Sequence, residues 1–276
     1  MTTRRGMPRH HRAGPSVGIG AETPAARLRW WRELLLVIMG YWLYTLVRNT
    51  VPAQAREATE NAEQLQRLER AISMDIELAV NLAADRITWL IVGMNYFYAV
   101  AHFAMTIGVL VWLYRRHPRL YRPARNVFLV TNAVALAVFY LYPLAPPRLL
   151  PGHGYVDTVV RHGTWGSWAS GDVAAASNQY AAMPSMHVAW SLFCAAAIVL
   201  LARRRWVRVA GALHPVLTVV VIVATANHFV LDAAGGAAAL AAGYAIPRMV
   251  TAVRRRPARS DPRPGHQLEP EPVAAG

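Results

Sequence analysis

Met183-Pro184-Ser185-Met186-His187 and, further along, Asn227-His228-Phe229-Val230-Leu231-Asp232 are the stretches on which the reading of this chain turns. Each sits at the edge of a long apolar segment and places a histidine where a membrane helix meets water. His228 and Asp232 are four apart. On a helix they share a face, so the carboxylate can hold one ring nitrogen while the other points outward as a nucleophile. His187 follows a proline suited to a first helical turn, where free backbone N–H groups and the helix dipole favour an anion. Two histidines, one carboxylate and an anion-friendly helix start point to phosphoryl transfer through a histidine. Such chemistry calls for neither a metal nor a cofactor.

Composition narrows the class independently. Over 276 residues, 55% are hydrophobic and 16% charged, with mean hydropathy +0.23, which is too apolar for a soluble domain. The chain reads as an all-α, polytopic membrane protein. Its net charge of +14 comes from arginine alone, clustered between apolar segments as topology signals are. No interleaving of basic and aromatic residues supports nucleic-acid binding, and that class is set aside. The single Cys194 lies in an apolar run, which excludes an internal disulfide and suits a buried small residue.

Residues 1–26, rich in Arg, His, Gly and Pro, read as a disordered cytoplasmic tail. Arg4-Arg5 is not followed by the apolar region that a twin-arginine signal needs. The membrane domain is expected over 27–252, with a disordered cytoplasmic tail at 253–276. Six spans are expected, at 31–47, 87–114, 126–142, 184–202, 207–225 and 227–250. Between the first two, Leu65, Leu68, Ile72, Ile76 and Ala79 recur three or four apart among polar residues, predicting one amphipathic helix over 53–84. It could lie in the membrane interface, cover the mouth of a site, pair with a second subunit in a homodimer, or simply pack on the bundle.

Six spans put both termini on one side. Most of the 29 arginines fall on the tails and on the loops carrying Arg115 to Arg125 and Arg203 to Arg208, which makes that side cytoplasmic. The 143–183 loop, the start of the fourth span and His228 then meet at the outer face of the plasma membrane, with the amphipathic helix on that side. The same loop begins Tyr142-Pro143-Leu144-Ala145-Pro146-Pro147-Arg148. Its prolines make a stiff exit from the third span. They leave at the membrane surface a guanidinium suited to bidentate phosphate contact.

In this order, Ala-Pro-Pro-Arg, Pro-Ser-Met-His and His-x-x-x-Asp across six spans resemble the type 2 phosphatidic acid phosphatase superfamily, most of all its inositol phosphorylceramide synthase branch. The resemblance covers about residues 27 to 250. It implies that His228 attacks phosphorus to give a phosphohistidine, and that Asp232 orients and charge-compensates its ring. It further implies that His187 protonates the leaving alkoxide and then activates water or an acceptor alcohol, while Ser185 and Arg148 hold non-bridging oxygens. The substrate implied is a lipid phosphate. Two departures stand out. The superfamily's Ser-Arg ahead of the third motif is replaced by Val221 and Ile222, and the Lys and Arg-Pro of its first motif are absent, with Leu141 and Leu149 in those places. The synthase branch, as it resembles this chain, also lacks that third-motif arginine. Asn227, Arg161, His153 and Arg48 are the candidates to complete the cradle.

Other polar residues have plainer readings beside functional ones. His102 lies inside the second span, either near a substrate cavity or as a hydrogen-bonded structural histidine. His214 reads as structural or interfacial and His117 as solvated. Gly235 and Gly236 read as allowing close helix packing. Asp157, His162, Trp165 and Trp168 lie in the outer loop, where they could form a lid or receive a headgroup. The rival class is a membrane transporter or scaffold without catalysis; polar residues gathered at one edge argue against a path across the membrane.

Overall fold

In the computed structural model the described residues are 31–36, 38–40, 42, 55–164 and 179–255, with backbone alone for 253–255. Both tails, apart from the start of the second, lie outside them, as do Arg48, Trp165 and Trp168. The described chain is helical: α1 (Ala55–Ala71), α2 (Glu77–Asp85), α3 (Thr88–Arg116), α4 (Pro118–Leu141), α5 (Thr158–Arg161), α6 (Met186–Leu201), α7 (Arg205–Ala224) and α8 (Val230–Arg255). No strand occurs among the described residues, and Leu144 and Ala181 form an isolated parallel bridge. Because α8 runs on to Arg255, the helix ends three residues beyond the expected tail boundary of 252.

Among the described residues, four helices are long and apolar enough to cross a membrane: Thr88–Arg116, Pro118–Leu141, Arg205–Ala224 and Val230–Ala252. They correspond to the second, third, fifth and sixth expected spans. The expected fourth span is the 16-residue α6. At 1.5 Å per residue it rises about 24 Å, short of a hydrocarbon layer of about 30 Å. Of the first expected span, residues 31–36, 38–40 and 42 are helical and the remainder lies outside the described residues. Glu33 pairs with Arg125, and Gly40 meets the side chain of Leu129, so this segment follows α4 in the same direction.

Local signals explain the joints. Pro118 takes the first helical position of α4, directly after the α3 C-cap His117, and Arg115 and Arg116 close α3 where the dipole favours cations. Helix α6 packs on α3, α4, α7 and α8, and α8 also lies along α4. Two glycines set the closeness of α8. A Cβ on Gly236 would sit 2.3 Å from the Ser185 carbonyl oxygen, and one on Gly243 would sit 2.0 Å from Thr131 Oγ1. At both glycines the backbones therefore approach closely, as small residues in membrane helices allow.

The amphipathic segment departs from expectation. Ile72–Ile76 breaks it into α1 and α2, with Ser73 at a φ of 58°. Leu65 is buried, whereas Leu68, Ile72 and Ile76 are 52%, 48% and 51% exposed. Instead the inward face carries Ala58, Ala62, Gln66, Glu69, Glu77 and Asn81. Where lipid surrounds the bundle, apolar side chains need no protein cover, and polar groups turn inward to find partners.

Helix directions separate two ends. Helices α4 and α7 finish, and α6 and α8 begin, at one end, around Leu144, Ser185 and Phe229. The arginine-rich junctions 115–125 and 203–208 fall at the other.

Candidate active site

The local fold around Asp232 comes first. Helix α8 begins at Val230, so His228 precedes the helix and does not share a helical face with Asp232, as the spacing alone suggested. Asp232 Oδ2 accepts the Phe229 N–H at 2.9 Å, the reach-back half of a capping box. The same oxygen lies 3.3 Å from His228 Nδ1. An ionised carboxylate accepts only, so with Asp232 ionised Nδ1 would carry the proton and Nε2 the lone pair. That nitrogen is buried and has no hydrogen-bond partner. Asp232 itself is fully buried.

The second histidine comes from α6. The helix starts at Met186, which leaves Pro184 outside the first turn, contrary to the expected position, and puts His187 second. Ser185 occupies the N-cap position in an extended conformation but makes no side-chain cap, and its buried Oγ has no partner. Its backbone N–H donates to the Asp232 carbonyl oxygen at 2.9 Å, so the two motifs are joined directly. The rings of His187 and His228 stand 5.7 Å apart, centroid to centroid, at 62°. They share one end of the bundle and are close enough to flank a single tetrahedral group.

Arg148 reaches the same cluster through Asn227. Its N–H donates to the Ala226 carbonyl, and its Nε donates to Asn227 Oδ1 at 2.9 Å. Nη1 pairs with Asp157 at 3.0 Å and Nη2 donates to Gln179 at 3.3 Å. Each guanidinium nitrogen thus already has a protein acceptor. Asn227 in turn donates to Thr225 Oγ1. Of the other candidates for the cradle, Arg161 pairs with Asp85, which also bonds His162.

Several neighbours were not singled out by the sequence or were left open. Tyr98 stacks on His187 at 4.0 Å, and the His102 ring lies 4.1 Å from His187 on its other contact, within a π turn over Phe97–Ala101. His102 Nδ1 bonds the Tyr98 carbonyl, so this histidine is both hydrogen-bonded and at the site, joining its two alternative readings. His214 meets Phe97 edge-on at 6.0 Å and is buried. Glu69 and Glu77, both fully buried, accept the N–H groups of Leu231 at 2.7 Å and Val230 at 2.8 Å. Asn81 joins α2 to the end of α7 and to the loop, through the Ala224 carbonyl and both backbone groups of Val156. The signal for these three was available only as polar residues eight and four apart on one helical stripe.

A bundle with four membrane-length apolar helices, and a histidine paired with a carboxylate at one end, fits a membrane protein. The family model of the PAP2 superfamily matches residues 63–246, and the chain belongs to that superfamily, whose members are membrane phosphatases and phosphotransferases. Searches of curated proteins and of solved structures gave no match.

Proposed function

We propose that the protein moves a phosphoryl group from a lipid phosphate through a phosphohistidine on His228, in the manner of inositol phosphorylceramide synthases. The observation that carries this is the unpartnered Nε2 of His228, on a ring 5.7 Å from that of His187. In the first step Nε2 attacks phosphorus, the bond to the lipid alkoxide breaks, and His187 delivers a proton to the leaving oxygen. Asp232 balances the positive charge that appears on the His228 ring. In the second step His187 takes a proton from water or an acceptor alcohol, whose oxygen attacks phosphorus and releases His228. Ser185 Oγ and the uncapped start of α6 offer donors to the non-bridging oxygens, beside Arg148 and Asn227.

Charge favours a particular donor. Arg148 comes to the site already paired with Asp157, and Arg161 is held by Asp85. So little uncompensated positive charge suits a phosphodiester, with one negative charge, better than a dianionic monoester. The remaining elements of the proposal are topological. Six spans, with α6 and the N-terminal helix completing the four longer ones, would place the arginine-rich junctions in the cytoplasm and the site at the outer face of the plasma membrane. The hairpin of α1 and α2 would then lie in the outer interface with Leu68, Ile72 and Ile76 toward lipid.

The test is to incubate purified protein with phosphatidic acid, a polyprenyl phosphate and a phosphodiester phospholipid. Free phosphate and new lipid products are followed, with acid-labile phosphoprotein trapped during turnover. Transfer from the diester, lost in His228→Ala, is the expected result. Unchanged turnover in His228→Ala, or no turnover and no phosphoprotein with any donor, would return the chain to a transporter or scaffold.

A further inference from the structure

Helix α8 presents its first-turn N–H groups to three carboxyls in succession: Phe229 to Asp232, Val230 to Glu77 and Leu231 to Glu69. The last two come from α1 and α2, far away in sequence. Neither Glu69 Oε2 nor Glu77 Oε2 accepts a bond from any protein donor. Each carboxyl therefore keeps one buried oxygen with no donor, beside the N–H that its other oxygen accepts. Burial raises the Glu69 carboxyl to about 8, against the Leu231 N–H and with further help from Glu77 and Asp232.

We propose that Glu69 and Glu77 are positioning residues that clamp the first turn of α8 and thereby hold His228 and Asp232 in register with His187. This rests on reading His228 as the attacking residue. With Glu69 protonated, one oxygen of each carboxyl caps a backbone N–H and Glu69 adds no charge to the buried cluster. Without that proton, a buried negative charge is added beside Glu77 and Asp232, and the α1–α2 hairpin is driven off α8. The sign follows from the raised value of Glu69. Its contribution to stability is complete below the ordinary glutamate range near 4.5 and is lost as pH rises through about 8. The other groups facing the pair do not mimic this. Tyr155, which bonds Gln66, is itself pushed up to about 12 by burial.

The test uses full-length protein in detergent at pH 6 to 10, with two readouts: the midpoint of thermal unfolding, and the affinity for orthovanadate, which adopts the five-coordinate geometry of phosphoryl transfer. Glu69→Gln keeps the acceptor for Leu231 and can donate to Glu77 at every pH. Relative to Glu69→Gln, wild-type vanadate affinity should fall about tenfold per pH unit above 8, as one linked proton requires, whereas the wild-type unfolding midpoint should fall from pH 6 to about 8 and level off above it. Glu69→Ala, which removes the cap, should bind vanadate weakly at all pH values and be rescued by Gln. If Glu69→Ala does not fold, Glu77→Gln serves in its place and should move the alkaline limit. Coincident pH curves for wild type and Glu69→Gln, in either readout, would overturn the proposal. His228→Ala separates the two readings. It should keep the wild-type slope of the unfolding midpoint and lose vanadate. If it binds vanadate as wild type does, the catalytic reading falls, and the positioning role falls with it.

Discussion

Replacing Asp232 by Asn tests the geometry of the site with least disturbance to its shape. Oδ2 of Asp232 serves two donors, the Phe229 N–H at 2.9 Å and His228 Nδ1 at 3.3 Å. An asparagine has one acceptor oxygen and two N–H donors. The shorter, backbone bond retains the oxygen, because leaving a buried N–H unpaired costs about 1–3 kcal/mol. The amide nitrogen then competes for the second position and favours a lone pair on Nδ1, which moves the proton to Nε2 and removes the nucleophile. In a serine–histidine–aspartate triad the same wrong-tautomer change lowers kcat about 10⁴-fold. A loss of about 10³ to 10⁴ is expected here, equivalent to roughly 4 to 5.5 kcal/mol of transition-state stabilisation. The unfolding midpoint should barely move, since the cap survives and a buried charge has gone. The assay is initial-rate transfer from a phosphodiester phospholipid in mixed micelles, paired with thermal unfolding of the same sample. Turnover of Asp232→Asn within threefold of wild type would refute the reasoning. So would an equal fractional loss of activity and folded protein.

Three further substitutions read other contacts. Gly236→Ala puts a methyl group 2.3 Å from the Ser185 carbonyl oxygen, so α6 and α8 must separate by about an ångström. It should destabilise by roughly 1–3 kcal/mol and cost about 10²-fold in rate, measured by the same pair of assays. Arg148→Lys gives up a planar fork that meets Asn227, Asp157 and Gln179 at once. With charge-assisted hydrogen bonds worth about 1.5–3 kcal/mol, kcat/KM for a phosphodiester donor should drop about 10- to 100-fold although the positive charge remains. Asn81→Leu leaves the Ala224 carbonyl and both backbone groups of Val156 without their partner, a cost of roughly 3 kcal/mol or more. Limited proteolysis around Gly152 to Gly154 should accelerate in that variant before global unfolding does.

The motifs were legible because their chemistry is local. His228 and Asp232 lie four apart, Ser185 and His187 flank one helix start, and the prolines before Arg148 stiffen a single exit. Helix positions were legible for the same reason, since apolar length alone marks α3, α4, α7 and α8. The α1–α2 hairpin was legible only as one amphipathic helix, because apolar periodicity marks neither the break at Ile72–Ile76 nor the partners of the polar face. In a chain surrounded by lipid, Leu68 and Ile76 lose nothing by facing out, whereas Glu69, Glu77 and Asn81 must find partners inside. Those partners stand 162 residues away for Glu69 and 153 for Glu77, at a helix start that no local pattern marks as needing caps. The contact of His102 with His187 was half legible. An ionisable residue inside a span is expected to face the interior, but which residue it meets depends on the π turn at Phe97–Ala101.

The contrast between two helix starts bears on why the site can do without the superfamily's third-motif arginine. A helix N-terminus attracts anions through its dipole and free N–H groups, and both α6 and α8 begin at the same end of the bundle. Helix α8 satisfies its own start with Asp232, Glu77 and Glu69. Negative charge gathered there would repel a phosphate brought to that helix. Helix α6 has no side-chain cap, and Ser185 keeps a buried hydroxyl without a partner beside it. If His228 is the attacking residue, an incoming phosphate would be directed to α6, with His228 on its α8 side and His187 within the first turn. Ile222 is fully buried and packs against Val188 of α6, so in that reading this position would support the helix start instead of contacting the anion.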